Sequence, residues 1–174
     1  MGIPFRMAKA IGVPEVRKPG ESPRRMVRRL AIAKAMSAAI HHPKDWVLGA
    51  DTLVAQGNRI LGKPSNARAA VRSLKRLQGA RHEVWTGVCL VRLQPRVKRV
   101  HVERTGVSFR RLKDGEIRAY VRTGEPYDKA GGYDIQGTAR HWVERWEGDF
   151  FNVMGLPIRW VLRAVKGLNL PSRT

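Results

Sequence analysis

Within Trp46-Val47-Leu48-Gly49-Ala50-Asp51-Thr52-Leu53-Val54, an apolar run of strand composition is broken by two small residues, a carboxylate and a hydroxyl, and then resumes. A strand covered on both faces reads as a continuous aliphatic run. An ionised carboxylate inside such a strand costs several kcal/mol or more unless it meets a cation or a metal. The glycine and alanine ahead of Asp51 let another group come close to the backbone. From this stretch alone two readings stand open: a strand that ends in a turn aspartate, or a buried carboxylate at a working site. The basic and acidic groups elsewhere that can converge on Asp51 decide between them.

A chain of 174 residues with 43% hydrophobic composition can bury a real core, and the expectation is one domain over 1–174. No window approaches the ~18 unbroken apolar residues that a membrane span requires, and no signal-peptide pattern opens the chain. The single cysteine, Cys89, sits in the run Val88-Cys89-Leu90-Val91, so it reads as a small buried residue rather than a nucleophile. These features suit the cytoplasm. The net charge of +20 predicts attraction to polyanions. The arginines are scattered rather than gathered in one tail, which makes nucleic acid a secondary partner. No RNP sequence, zinc-finger spacing or KH-type loop is present.

Along the chain, residues 1–20 read as irregular. Ser22-Pro23 opens a helix to about Ala39, with Ser22 as cap and Val27, Leu30, Ala31, Lys34 and Ala38 along one stripe. Lys34 is out of place there: either its stem packs and its head reaches solvent, or it points into a cleft at an anion. After the Asp51 strand come a turn at 55–59, a short strand ending at Leu61, and Lys63 held between Gly62 and Pro64. A second helix follows from Ser65, its expected cap, to Leu77. Two long strands, about 82–93 and 100–112, precede a short helix over 115–122. The stretch Gly124-Glu125-Pro126-Tyr127-Asp128-Lys129-Ala130-Gly131-Gly132-Tyr133-Asp134-Ile135-Gln136-Gly137 mixes acid, base, amide and glycine, giving backbone shapes that leave amide hydrogens free for a phosphate or a base. Residues 140–153 read as a hairpin turning at Gly148-Asp149, and a closing helix runs to about Val165. The last three residues read as loose. The fold class expected is α/β, a mixed sheet flanked by helices.

Glu15, Asp51 and Asp128 offer carboxylates, Lys34, Lys63 and Lys129 ammoniums, and Thr52 and Gln136 neutral hydrogen-bonding groups. Carboxylates holding a hard divalent ion, with lysines on phosphate oxygens, are what hydrolysis of a phosphoanhydride requires. One carboxylate can orient or deprotonate water while the cations offset charge on the leaving group. There is no Walker A sequence, no His/Cys cluster for zinc and no nucleophile elbow.

Gly49-Ala50-Asp51-Thr52, Leu61-Gly62-Lys63-Pro64, Trp85-Thr86-Gly87-Val88, Gly124-Glu125-Pro126 with Asp128-Lys129-Ala130-Gly131-Gly132-Tyr133, Ile135-Gln136-Gly137 and Phe151-Asn152-Val153-Met154-Gly155-Leu156-Pro157 resemble, in order, the motifs of the Maf family of nucleoside triphosphate pyrophosphatases. The resemblance covers about residues 20 to 165. It implies a fold like that of the inosine triphosphate pyrophosphatases with a central cleft, usually a homodimer, and cleavage of a nucleoside triphosphate to the monophosphate and pyrophosphate with a divalent metal, magnesium or manganese. It assigns the proton acceptor to Asp51 and phosphate contacts to Lys34 and Lys63. Glu15 lands on an early acidic position and joins Asp51 as a metal ligand and catalytic carboxylate. Asp128, Lys129 and Gln136 resemble the branch that prefers dTTP and UTP, with Thr52 and Gln136 helping to choose the base. A branch acting on methylated GTP, and an inactive relative that binds nucleotide or nucleic acid through its basic surface, are the alternatives.

Three departures from the family pattern bear on this. Ser22-Pro23-Arg24-Arg25 spells part of the family's phosphate loop but stands at a helix start, so it is a decoy. Aligned by Gly2-Ile3-Pro4-Phe5, the chain is expected to begin after the family's first strand, loop and helix. A chain without that arginine pair is expected to turn over weakly or to dissolve poorly. Asp134 occupies a position usually held by glycine, where a carboxylate is expected to disturb the loop or repel phosphate.

Overall fold

The computed structural model describes residues 5–166 and 168. Residues 5–20 form neither helix nor strand, as their pattern predicts; the tail 172–174, expected to be loose, lies outside the described residues. Helix α1 (Pro23–Ala39) starts with the Ser22 side chain accepting the Arg25 N–H and Pro23 at the first position. Arg24 and Arg25 are exposed on its first turn, as the decoy reading requires.

Strand β1 (Val47–Gln56) turns into the short β2 (Arg59–Leu61), which pairs with Val54–Gln56. Helix α2 (Ala67–Leu77) is capped by Asn66, whose side chain accepts the Ala69 N–H at 2.9 Å. The expected cap was Ser65; both residues are cap-competent, and the one a position later reaches the third N–H. Strands β3 (Arg81–Arg92) and β4 (Val97–Phe109) form a long hairpin, and α3 (Asp114–Arg122) follows. Three short 3-10 turns over Glu125–Asp128, Ala130–Gly132 and Thr138–Trp142 lead into β5 (Val143–Glu147).

The segment Phe150–Val153, expected as the return strand of a hairpin, is instead a short helix, α4. Asp149 caps it by accepting the Phe151 N–H, and the buried Asn152 amide donates to the Val84 carbonyl and to Thr105 Oγ1. A run of four residues is too short for its hydrophobic period to tell strand from helix. Helix α5 (Ile158–Val165) closes the described fold.

The sheet order is β2-β1-β3-β4-β5, and helices flank it as the α/β class predicts. Every pairing among the described strands is antiparallel, where a mixed sheet was expected. The reason is topological. Helix α2 connects β2 to β3, two strands that run the same way, but β1 lies between them and pairs antiparallel with both.

Both faces of the sheet are covered. Helix α1 lies on one, burying Val27, Leu30, Ala31 and Ala35 against Leu53, Ala55, Cys89 and Val91. Its backbone comes so close that a Cβ at Gly49 would stand 2.5 Å from the Ala35 nitrogen, and one at Gly87 would fall on the Val27 carbonyl. On the other face Leu74 and Leu77 of α2 and Ile117 and Tyr120 of α3 pack on Val54, Val84, Val107 and Phe109. Cys89 is fully buried, and burial pushes its thiol up, in keeping with a packing role. Among the described residues no helix is long and apolar enough to cross a membrane.

His82 is buried between the rings of Phe109 and Tyr133, with Nε2 2.9 Å from the Tyr133 hydroxyl. Burial, with the Arg81 charge adding to it, drives its pKa down to about 4. Below the ordinary imidazole value of about 6.5 the unfolded chain therefore binds a proton that the folded chain refuses, so stability falls as pH drops from about 6.5 to about 4. That window accounts for about 3 kcal/mol. Replacing His82 by Phe should flatten this part of the stability curve in urea titrations run at several pH values; an unchanged slope would remove His82 as its source.

Candidate active site

Lys34 lies one turn beyond Leu30 on α1, and the close approach of that helix to β1 carries its side chain over the strand. Its Nζ stands 2.7 Å from Asp51 Oδ1 and 2.5 Å from Glu15 Oε1. Of the two routes open to this lysine, it takes the one into the cleft. Asp51 is only 8% exposed, whereas Glu15, on the irregular N-terminal segment, is half exposed.

The three groups shift one another's proton affinities. Burial pushes the Asp51 carboxyl above its ordinary value, and the Lys34 hydrogen bond only partly opposes this. Burial works against the Lys34 charge, but its bonds to Asp51 and Glu15 outweigh that and hold the ammonium above its usual value. The Lys34 hydrogen bond draws Glu15 down despite some burial, and the nearby Lys63 charge adds to this. A buried carboxylate with raised proton affinity beside a permanently charged lysine is suited to take a proton from water.

The second wall is the glycine-rich stretch. Gly131 and Gly132 adopt left-handed backbone, with φ of 74° and 81°, and a Cβ at Gly131 would press on the Val54 side chain at 3.0 Å. That fit seats the stretch on β1 and turns Lys129 toward the cleft. Lys129 Nζ lies 3.4 Å from Asp128 and 3.3 Å from Asp134. Asp134, expected to disturb this stretch, braces it instead: its Oδ1 accepts the Gln136 N–H at 2.8 Å while its other oxygen pairs with Lys129.

Glu15, Lys34, Asp51, Thr52, Lys63, Asp128, Lys129 and Gln136 all line one cavity of about 320 Å³. Ala50, Asp51 and Thr52 line it together, as consecutive strand residues do only where open space wraps the edge of the strand. Thr52 Oγ1 is 2.9 Å from Thr86 Oγ1 and donates to the Gly155 carbonyl at 3.2 Å, so it also ties the wall formed by Met154 and Gly155 to the sheet. The apolar lining is Val54, Val84, Tyr133, Ile135 and Val153; the last three stand within the motifs that carry the family resemblance, but no role follows for any of the five from the sequence alone. Asn152, fully buried, also stands in one of those motifs without a role assigned to it; its amide anchors α4 to β3 and β4. Its signal is an amide inside an apolar run.

A cavity with lysines on two walls and a carboxylate–ammonium–carboxylate bridge at its floor belongs to the class of α/β proteins that handle phosphorylated anions. The family model described as Maf-like protein matches residues 1–168, and the chain belongs to the Maf family. It is 47% identical over 162 residues to a dTTP/UTP pyrophosphatase of Koribacter versatilis, covering 93% of this chain and 82% of that protein. A dTTP/UTP pyrophosphatase of a Geobacillus species is 47% identical over 148 residues, 85% of this chain and 78% of its own. One from Salinibacter ruber is 45% identical over 165 residues, with 94% and 80% covered.

Replacing Lys34 by Met leaves Asp51 buried without its cation, so its carboxyl pKa should rise further above the ordinary range. Carboxyl-carbon NMR titration of the variant against the parent chain reads the change; no upward movement would mean that the ammonium is not its partner in solution.

Proposed function

We propose that this protein hydrolyses the bond between the α and β phosphates of dTTP and UTP, releasing the nucleoside monophosphate and pyrophosphate. The observation that carries the reading is the Glu15–Lys34–Asp51 bridge, facing Lys63 and Lys129 across one cavity. Asp51 accepts the proton of the attacking water, helped by its raised proton affinity. Lys34, Lys63 and Lys129 lie against phosphate oxygens and offset the charge that grows on the leaving pyrophosphate. Thr52 and Gln136, at the cavity wall, read the base. The names of the relatives support the pyrimidine preference.

The donor set also fits a divalent metal. Two carboxylates converge on the point held by Lys34 Nζ, and a magnesium ion commonly takes one or two carboxylates, filling its other positions with substrate phosphates and water. Among the described residues no group of three or more acidic, histidine or cysteine side chains offers a closed protein cage. Glu15 and Asp51 would hold magnesium or manganese, which would supply positive charge to the phosphate oxygens beside the bond that breaks. A homodimer acting in the cytoplasm, where nucleoside triphosphates are found, completes the proposal.

Purified protein with magnesium or manganese and a panel of triphosphates should release pyrophosphate fastest from dTTP and UTP. Asp51→Asn should lower kcat by about 10²–10⁴-fold, the usual weight of a positioned proton acceptor, with a smaller change in KM. Turnover that survives this change, or a preference for a methylated purine, would overturn the assignment.

A further inference from the structure

Beside the cleft lies a second concavity of about 390 Å³, between the β2 end with Gly62-Lys63-Pro64-Ser65 and one face of α2. Ala69, Arg72, Ser73 and Arg76 follow at helical spacing, so α2 presents Arg72 and Arg76 to this groove one turn apart. Arg59 approaches from β2 and Lys63 from the connecting loop. No carboxylate lines the groove, and none of these four cations has an acidic partner within ion-pair distance among the described residues.

The contrast with the neighbouring cavity is chemical. The cleft mixes four carboxylates, Glu15, Asp51, Asp128 and Asp134, with three lysines. The polar side chains of the groove are cations and hydroxyls alone, set among the apolar Ile60, Leu61, Pro64 and Ala69. A concave surface of one sign concentrates the opposite charge, and arginine forks suit multidentate contact with phosphate oxygens. Lys63 lines both spaces, so they meet at one phosphate-seeking ammonium.

We infer that the groove formed by Arg59, Lys63, Arg72 and Arg76 is a second binding site for a short inorganic phosphate chain, pyrophosphate in the first instance. Its place as the exit of the cleft rests on the hydrolytic reading above; its affinity for the anion does not. Pyrophosphate formed in the cleft moves along Lys63 into a site with no carboxylate to repel it.

Titration of the full chain with inorganic pyrophosphate, at fixed ionic strength and with no nucleotide present, separates the two claims, because binding is read without turnover. The parent chain should take up a second equivalent. Arg72→Gln with Arg76→Gln should weaken that class of site by about tenfold or more, since two charge-assisted contacts are lost. The cleft class should stay as it was. Arg24→Gln with Arg25→Gln, exposed arginines away from the groove, should change neither. Orthophosphate, with fewer oxygens to share among four cations, should bind the groove more weakly. A single class of site in the parent chain overturns the inference, as do equal losses in both variant pairs. Tighter groove binding by a single-stranded oligonucleotide than by pyrophosphate also overturns it, and would assign the groove to nucleic acid.

Discussion

The ammonium of Lys34, shared between Asp51 and Glu15, is the contact on which the rest of the site depends. A carboxylate as enclosed as Asp51 cannot stay charged in a sheet without a cation beside it. That cation comes from a helix whose distance from the strand is set by two glycines. Gly49 and Gly87 let the α1 backbone rest directly on β1 and β3; any side chain there would lift the helix and carry Lys34 away from Asp51. The same ammonium reaches Glu15 and so ties the irregular N-terminal segment to the cleft. Helix packing, strand burial and site charge are therefore one arrangement.

The opposite wall follows a similar logic with different parts. Left-handed Gly131 and Gly132 seat the 130–132 turn on Val54 and Pro64, and the carboxylates at 128 and 134 hold Lys129 in place. Beneath them Asn152, Thr86, Thr105 and Thr52 form a buried polar network that joins α4 and Gly155 to the sheet. Buried hydrogen bonds of this kind fix geometry more than they add stability. Their value here is that Met154 and Gly155 line the cavity at a set distance from Asp51.

Much of this is readable in the chain. The oddity of an aspartate in an aliphatic run, and of a lysine on a helix stripe that is otherwise buried, pointed to a shared cause, and the two groups do meet. Ser22-Pro23 marks its helix start because cap and first-position chemistry are local. Other features depend on distant partners. Phe150–Val153 is helical because Asp149 caps it and Asn152 finds acceptors on β3 and β4, neither of which its own residues announce. The antiparallel sheet follows from β1 lying between β2 and β3, a matter of strand order that periodicity does not encode. Asp134 read as an intruder because its partners, the Gln136 amide and Lys129, come together only once the loop has turned.

Charge distribution then links site to surface. The chain carries +20 overall, yet the cavity lining is close to balanced, with carboxylates slightly outnumbering lysines. A polyphosphate is therefore not held there by protein charge alone. On the reading proposed above, what holds it is the placement of each ammonium at a particular oxygen, together with any cation it brings. On that same hydrolytic reading, the inorganic fragment released by cleavage no longer shares the contacts assigned there to Thr52 and Gln136, while the four carboxylates remain. The arginines at 59, 72 and 76 present the reverse balance a short distance away, across Lys63. The excess positive charge of this protein is thus not only a solvated coat: on this side it slopes outward from the cleft, along the path inferred for a released anion.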